Sequence, residues 1–562
     1  MAEYVFGANI LENLTTGMYQ DSKIIYREYI QNSCDQIDKA EQLGILRPRD
    51  PNKPRDPSGK CPDLGEGVIN IQLYPDKRYI IIEDNATGIK ADDFQRILGN
   101  IADSDKVMGQ DKGFRGIGRL CGLAYCKQLV FTSRWAGEDV ISIMTCNALK
   151  MREMINEANT NVQKHSALDV LNAMARFDIR SATNSDPAHF FKVELIDINE
   201  ENEELFGGRN EDSIQQLTDY LSFVAPVPYQ ADFWYRTDIY EYAKSINIKI
   251  DEYDIKINGE SIHKKYKTRL KTGNGQDEVY GVKFREFRSS DNSLLAWMWF
   301  GETNFIAAIK EEEISRGLRL RKENIQIGED DTLRGLFTRD RRGNSYFIGE
   351  VFAVSPELIP NSQRSYFNEN QIRIYFEHEL KDYFNNSLHN IYQDGSDINA
   401  AIKAINLYTE EAVKFENKVA EGGFWSPDEH EREKANLETK KQKADKGRKT
   451  LAKKEENGRS FMSPQITKRR IDEVTANPQN LEPQVKPTKK ASIDKFENET
   501  VQAPSPYCRK NGFPVDRMFP NLNKGERKLL ADKLEQVFTI IEDVADRKTS
   551  ANIIKRIKEE LK

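Results

Sequence analysis

An acid, an amide and a second acid, Glu28, Asn32 and Asp35, recur at intervals of four and three residues within Ser22–Ala40. At about 100° per residue they share a helical sector of roughly 60°, while Tyr26, Ile30, Cys34 and Ile37 line another face. A carboxylate one turn ahead of an amide can orient and deprotonate a water, and the amide oxygen can complete a magnesium shell that keeps several waters. On an ordinary surface helix the same stripe is solvent-facing decoration, so its neighbours decide its meaning. Asp84 is the second chemical group: it follows the strand-like run Arg78–Glu83 and opens Asp84-Asn-Ala86-Thr-Gly88. A carboxylate at a buried strand end needs a donor, and the exocyclic amine of a purine is one; a strand-end aspartate in a tight turn is the plainer alternative. The third is Gly113-Phe-Arg-Gly116-Ile117-Gly118-Arg-Leu-Cys-Gly122, ahead of Leu123, Ala124 and Tyr125 with helical character. Backbone N–H groups there can approach an anion at a helix N-terminus. The sequence contains no GxxxxGK[ST] and no GxGxxG after a strand, so neither a P-loop nor a dinucleotide fold accounts for these glycines.

These groups need a helix over Ser22–Ala40 and two strands, Val68–Leu73 and Arg78–Glu83, joined through Tyr74-Pro75-Asp76-Lys77 as a hairpin. Helix and strand patterns alternate over residues 1–201, interrupted by a Pro/Gly/Asp-rich loop at Arg47–Gly67. A second α/β block spans 202–395, with strand-like runs at Asn247–Asn258, Val279–Phe284, Ser293–Phe300 and Phe347–Val354. Residues 396–456 read as a charged helical segment in which core signals fade, broken near Gly422, Gly423 and Pro427. Residues 457–514 carry prolines, lysines and few apolar side chains and are expected to be a disordered basic linker. In residues 515–562, Leu530, Leu534, Val537, Ile541 and Val544 and then Ile553, Ile554, Ile557 and Leu561 repeat at helical spacing. That element is either a small bundle or a dimerisation or partner-docking surface.

Composition removes several classes of function. At 562 residues the chain is too long for one core, and about 150 residues per domain suggests three or four units. Apolar runs such as Ile80-Ile81-Ile82 fall far short of the roughly 20 residues that span a bilayer. The start, Met-Ala-Glu-Tyr, lacks the basic and apolar regions of a secretory signal, which points to a cytoplasmic protein with no membrane partner. Six scattered cysteines without a CxxC pair, and six histidines without an HExxH, support neither a disulfide framework, a zinc ribbon nor a zinc protease. A net charge of −7 argues against wholesale coating of nucleic acid, though not against a local basic patch.

In this order and spacing the three segments resemble the GHKL ATPase superfamily: gyrase B, the ninety-kilodalton heat-shock chaperones, histidine kinases, MutL and MORC proteins. Arg27-Glu28-Tyr-Ile-Gln-Asn32-Ser-Cys-Asp35 is similar to its N box, Asp84–Gly88 to its first glycine box and Gly113–Gly118 to its second. The resemblance implies an α+β chain: a Bergerat-type two-layer α/β sandwich, then a ribosomal-protein-like α/β transducer domain, then a helical and disordered C-terminal region. It implies ATP and Mg²⁺ as cofactors, with Glu28 as general base, Asn32 as the magnesium ligand and Asp84 on the adenine amine. Asp35 and Gly88 then belong to the nucleotide site, and Gly113, Gly116, Ile117 and Gly118 to the triphosphate cradle. Lys90–Lys112 would form a lid, with Lys106 and Lys112 as candidate phosphate contacts.

Two positions depart from the pattern. Ala86 stands for the first glycine, and Ala188–Val193, where the strand bearing an adenine-side threonine is expected, holds no threonine. Ile255–Glu260, Gly317–Gly328 and Glu357–Phe367 look like the transducer domain of the heat-shock chaperones and their bacterial relatives. By that resemblance Arg364 reaches the γ-phosphate, a task suited to an always-charged guanidinium; a structural ion pair is its plainer reading. Arg316, Arg319, Arg321 and Lys322 form a basic cluster facing substrate, phosphate or water.

The implied function is a chaperone-like ATPase clamp, a homodimer whose pairing follows ATP, acting on a protein client. Two alternatives are a MORC- or MutL-like clamp on nucleic acid, for which bacterial defence is one setting, and a nucleotide sensor without turnover.

Overall fold

The computed structural model describes residues 6–15, 17, 21–49, 65–101, 116–160, 162–208, 212–456 and 460–475, with 529–530, 533–534, 536–538, 540–541 and 547–560. Lys106, Lys112 and Gly113, the lid up to Lys112 from residue 102, and most of the expected linker lie outside the described residues. Described residues up to 413 and from 435 to 475 belong to one compact unit, and residues 414–434 with the described C-terminal residues to a second.

The first sheet has eight strands: β1 (Val68–Tyr74), β2 (Tyr79–Asp84), β3 (Cys126–Arg134), β4 (Val140–Asn147), β5 (Ala175–Ser181), β6 (Phe190–Ile198), β7 (Asp254–Ile257) and β8 (Glu260–Ser261). Their order is β5-β4-β3-β6-β2-β1-β7-β8, antiparallel throughout except for the parallel pair of β1 and β7. Ile69, Ile71, Ile80 and Ile82 point to one face, where they share a continuous core with α1 (Asn9–Leu14), α2 (Ile24–Gln42), α3 (Ala91–Gly99), α4 (Ala148–Asn159) and α5 (Ala167–Met174). The sheet does not end near residue 201. Ile255 and Ile257 pair with Ile69 and Ile71 and extend their apolar row, which draws β7 out of the second block as read from sequence.

After α6 (Ser213–Val224) and α7 (Arg236–Ser245), a hairpin of β9 (Arg269–Thr272) and β10 (Gly275–Glu278) leads into a second sheet. It contains β11 (Gly281–Arg288), β12 (Leu294–Glu302), β13 (Gly317–Lys322), β14 (Ile325–Gln326) and β15 (Ile348–Ala353), in the order β11-β12-β15-β13-β14. The run Leu295-Ala-Trp-Met-Trp-Phe300 is apolar at every position because both faces are covered. Met298 and Phe300 pack toward α8 (Gln371–Tyr383) and α9 (His389–Ala420), and Trp297 and Trp299 toward α7.

Burial on both faces also corrects the reading of the basic cluster. β13 is buried from end to end: Arg321 is fully buried, Arg319 lies over the Phe223 ring at 4.2 Å, and Lys322 donates to Ser355 O at 2.7 Å. Only Arg316 is half exposed. Arg321 pairs with Glu350, which also accepts from Lys264 Nζ at 3.0 Å, from Trp299 Nε1 at 3.2 Å and from the Tyr229 hydroxyl.

The helical region is more buried than its charge suggests. Ile398, Ala401, Ile405 and Tyr408 of α9, and Ala444 and Leu451 of α10 (Pro427–Glu455), join the second sheet's core. Gly447 lets α10 approach α9 closely, since a Cβ there would lie 3.0 Å from Ala401 O. Part of the expected linker is also ordered. Pro464–Thr475 forms helix α11; Ile466, Ile471 and Val474 within it and Met462 just before it join the second sheet's core. Glu302 caps its start, accepting from Ser463 N–H at 3.3 Å and from Ser463 Oγ at 2.5 Å.

In the second unit, Phe415, Phe424 and His430 pack together and Lys418 pairs with Glu429 at 2.8 Å. Among its described C-terminal residues, Phe538 and Ile554 pack with Leu530, Leu534, Ile541 and Ile557, whereas Val537 and Ile553 stay exposed.

Candidate functional site

α2 spans Ile24–Gln42, as the periodicity predicts, and buries Tyr26, Ile30, Cys34 and Ile37. Its acid–amide stripe meets the second glycine segment. Glu28 and Asn32 are half-buried and Asp35 is 7 % exposed. A Cβ on Gly118 would lie 1.9 Å from Glu28 Oε2, so only glycine brings this backbone against the carboxylate. Gly116 holds φ at +68°, a conformation that also favours glycine. Tyr29 anchors the segment, accepting from Gly122 N–H at 3.1 Å and donating to Arg119 O at 3.0 Å. The helical element expected after these glycines is a 3₁₀ helix, Gly118–Ala124, with β3 beginning two residues later. With Glu28 in the general-base role that the resemblance implies, Gly118→Ala is expected to push it aside and lower turnover by roughly 10–10²-fold, as misplacement of a reacting group by about 1 Å does. Steady-state phosphate release, with melting temperature as the folding control, checks this.

Asp84 ends β2 at 1 % exposure and accepts from Ala86 N–H at 3.1 Å. Ala86 carries the departure from pattern without strain: its carbonyl accepts from His189 Nδ1 at 2.7 Å, and it is absent from the positive-φ residues. Gly88 is where glycine is needed, with φ +68° and a virtual Cβ only 1.9 Å from Arg134 O. Thr87 Oγ1 donates to Gln36 Oε1 at 2.8 Å, tying this turn to α2 one helical turn beyond Asn32. Along α2 the site therefore runs from Glu28 at one end to the Asp84 turn at the other.

The loop between β15 and α8 supplies Arg364. It is 8 % exposed, holds a left-handed φ of +53°, and brings Nε to 3.6 Å from Glu28 Oε1. Burial pushes its pKa down and Glu28 pulls it back; a guanidinium stays charged through such a shift. Its loop is locked by Gly328, whose N–H donates to Arg364 O at 2.7 Å and whose carbonyl accepts from Arg27 Nη2 at 3.4 Å. Glu28, Gly118 and Arg364 thus meet although their positions are up to 336 residues apart.

Residues 23–180 match the family model for histidine kinase-, DNA gyrase B-, and HSP90-like ATPases. The chaperone protein HtpG of Mesorhizobium japonicum is 31 % identical over 100 residues, 17 % of this chain and 14 % of the relative. HtpG of Streptomyces coelicolor is 24 % identical over 147 residues, 23 % of this chain and 21 % of the relative. HtpG of Salinispora tropica is 28 % identical over 95 residues, 17 % and 13 %. Over this segment the chain is similar to GHKL-type ATPase domains. The matches span at most 21 % of these relatives' length.

This segment has groups that suit a magnesium nucleotide. A Cβ on Gly118 would fill the space against Glu28 Oε2, and Gly116 holds a φ that favours glycine. Gln31, at 1 % exposure, leaves both amide atoms unbonded, and buried Arg27 leaves Nε unbonded, polar capacity that an anion and its waters can satisfy. Among the described residues no three His, Cys, Asp or Glu side chains gather as a metal site. A magnesium ion carried on phosphates and water, with one or two protein ligands, needs no such cluster, and Asn32 could serve it. Sequence reasoning passed over Gln36 and His189. Neither lies in a glycine box, and only folding brings them to the Asp84 turn.

Proposed function

We propose that the GHKL domain binds ATP with Mg²⁺ and hydrolyses it, and that the second sheet acts as its transducer. In this reading Glu28 is the general base, Asn32 the magnesium ligand, Asp84 the contact for the base's amine, and Arg364 the cation beside the terminal phosphate. The observation that carries it is the 3.6 Å approach of Arg364, from the loop after β15, to Glu28 on α2. A base and a fixed positive charge at one point is what phosphoryl transfer to water requires. Glu28 and Gln36 lie eight residues apart on α2, about 12 Å of helix, which leaves room for phosphates at one end and a purine at the other. Bound Mg²⁺ would neutralise charge on the phosphates; this chain orients the water, holds Arg364 in place and shields the reacting end.

Because Arg364 comes from the loop after β15 of the second sheet, nucleotide state biases the position of that sheet against α2, and ATP would favour the closed arrangement. Such a machine suits a chaperone-like homodimer acting on protein clients; the HtpG relatives are named chaperone proteins. A second reading is favoured by one feature: Lys443, Lys446, Lys449 and Lys453 are exposed on α10, a row that could track nucleic-acid phosphates. Steady-state ATPase assays of the whole chain, alone, with unfolded protein and with duplex DNA, separate these. Stimulation by unfolded protein is expected. Stimulation by DNA alone would replace the chaperone-like reading with the nucleic-acid clamp, and binding without turnover in any condition would make the chain a nucleotide sensor.

A further inference from the structure

We propose that His189 reads the purine edge beside Asp84 and selects 6-aminopurine over 6-oxopurine nucleotides; this rests on the nucleotide-binding reading above. The ring nitrogen Nδ1 lies 2.7 Å from Ala86 O. A carbonyl oxygen only accepts, so Nδ1 carries the proton of the neutral imidazole and Nε2 presents a lone pair. Nε2 makes no hydrogen bond to the described residues.

The register places this acceptor. Asp84 of β2 stands opposite Phe191 of β6, so His189, two residues ahead of Phe191, lies on the same side, immediately before the strand's first residue. Its bond to Ala86 sets the ring over the turn that Asp84 opens. Ser133 fixes the same corner, with Oγ accepting from Ile89 N–H at 2.8 Å and donating to Phe190 O at 3.2 Å. Two acceptors, a carboxylate and an imidazole nitrogen, then border one end of the site. A 6-amino group brings two N–H donors to that end. A 6-oxo group brings another acceptor, and an oxygen set against two acceptors leaves buried polar groups unpaired.

Equilibrium binding of ATP and inosine triphosphate by calorimetry tests this on the full chain as wild type, His189→Ala and His189→Asn, with melting temperatures as folding controls. His189→Ala is expected to weaken ATP by about tenfold, the scale of one lost hydrogen bond at a buried site, and to leave inosine triphosphate within about twofold. His189→Asn can keep an N–H on Ala86 O and present an oxygen acceptor, so it should retain the preference for ATP. If His189→Ala weakens both nucleotides equally, or changes neither, His189 only props the turn and the proposal fails while nucleotide binding stands. Binding of neither nucleotide by the wild type would overturn both.

Discussion

Glu28→Ala is expected to lower kcat for ATP by about 10²–10⁴, the usual contribution of a positioned general base, while the Kd for ATP stays within a few-fold. The carboxylate touches both the second glycine segment, through Gly118, and Arg364. Its loss removes proton acceptance at the attacking water but leaves the Asp84 turn, at the other end of α2, intact. Arg364→Ala should separate the two roles: turnover slows with near-normal binding if the cation acts on developing phosphate charge. Single-turnover hydrolysis together with equilibrium nucleotide binding reads both quantities. Unchanged turnover in Glu28→Ala would remove it from the role of base. A large affinity loss in Arg364→Ala would make that residue a ground-state contact.

Glu350→Ala is expected to destabilise the second sheet by about 3–5 kcal/mol, because it leaves Arg321 and Lys264 buried without their carboxylate. All three side chains are fully buried. Arg321 also donates to Phe223 O at 2.8 Å and to Asn324 O at 2.9 Å, and Lys264 to Asn324 Oδ1 at 2.7 Å. These bonds hold the end of α6 to β13 and to the turn after it, so the cluster is a joint between the block containing α6 and the sheet whose β15 leads into the Arg364 loop. Replacing Glu350, Lys264 and Arg321 together by leucine and methionines should be far less costly, since no charge is then stranded. Urea unfolding followed through the Trp297 and Trp299 environment measures both, and equal losses in the single and triple variants would refute the stranded-charge account.

Acid gives an independent check. Burial alone would raise the Glu350 carboxyl, but Arg321 and Lys264 outweigh it and hold the group below its ordinary value of 4.5, down to about 2. The unfolded chain therefore takes up that proton first. The contribution is present above pH 4.5 and lost as pH falls toward 2.

Local patterns specify the parts of the site that lie close together in the chain. The α2 stripe, the β1–β2 hairpin ending at Asp84 and the glycine positions follow from periodicity and turn chemistry, because an amphipathic helix and an alternating hairpin impose their own spacing. Spacing of this kind carries the resemblance by which these residues are expected at a nucleotide site. It could not determine which glycine was obligatory: Gly88 is, through its φ and the Arg134 carbonyl, while Gly118 leaves Glu28 its place and position 86 tolerates alanine. Nor could composition tell that Arg319, Arg321 and Lys322 lie inside, since a strand buried on both faces accepts cations only where a distant Glu350, a ring or a carbonyl receives them. Tertiary structure alone decided that β7 joins the first sheet, that Pro464–Thr475 docks as a helix, and that Arg364 arrives at Glu28. Each depends on a partner far away in sequence, and a linear pattern carries the preference of a residue for burial or charge, not the identity of the residue that will meet it.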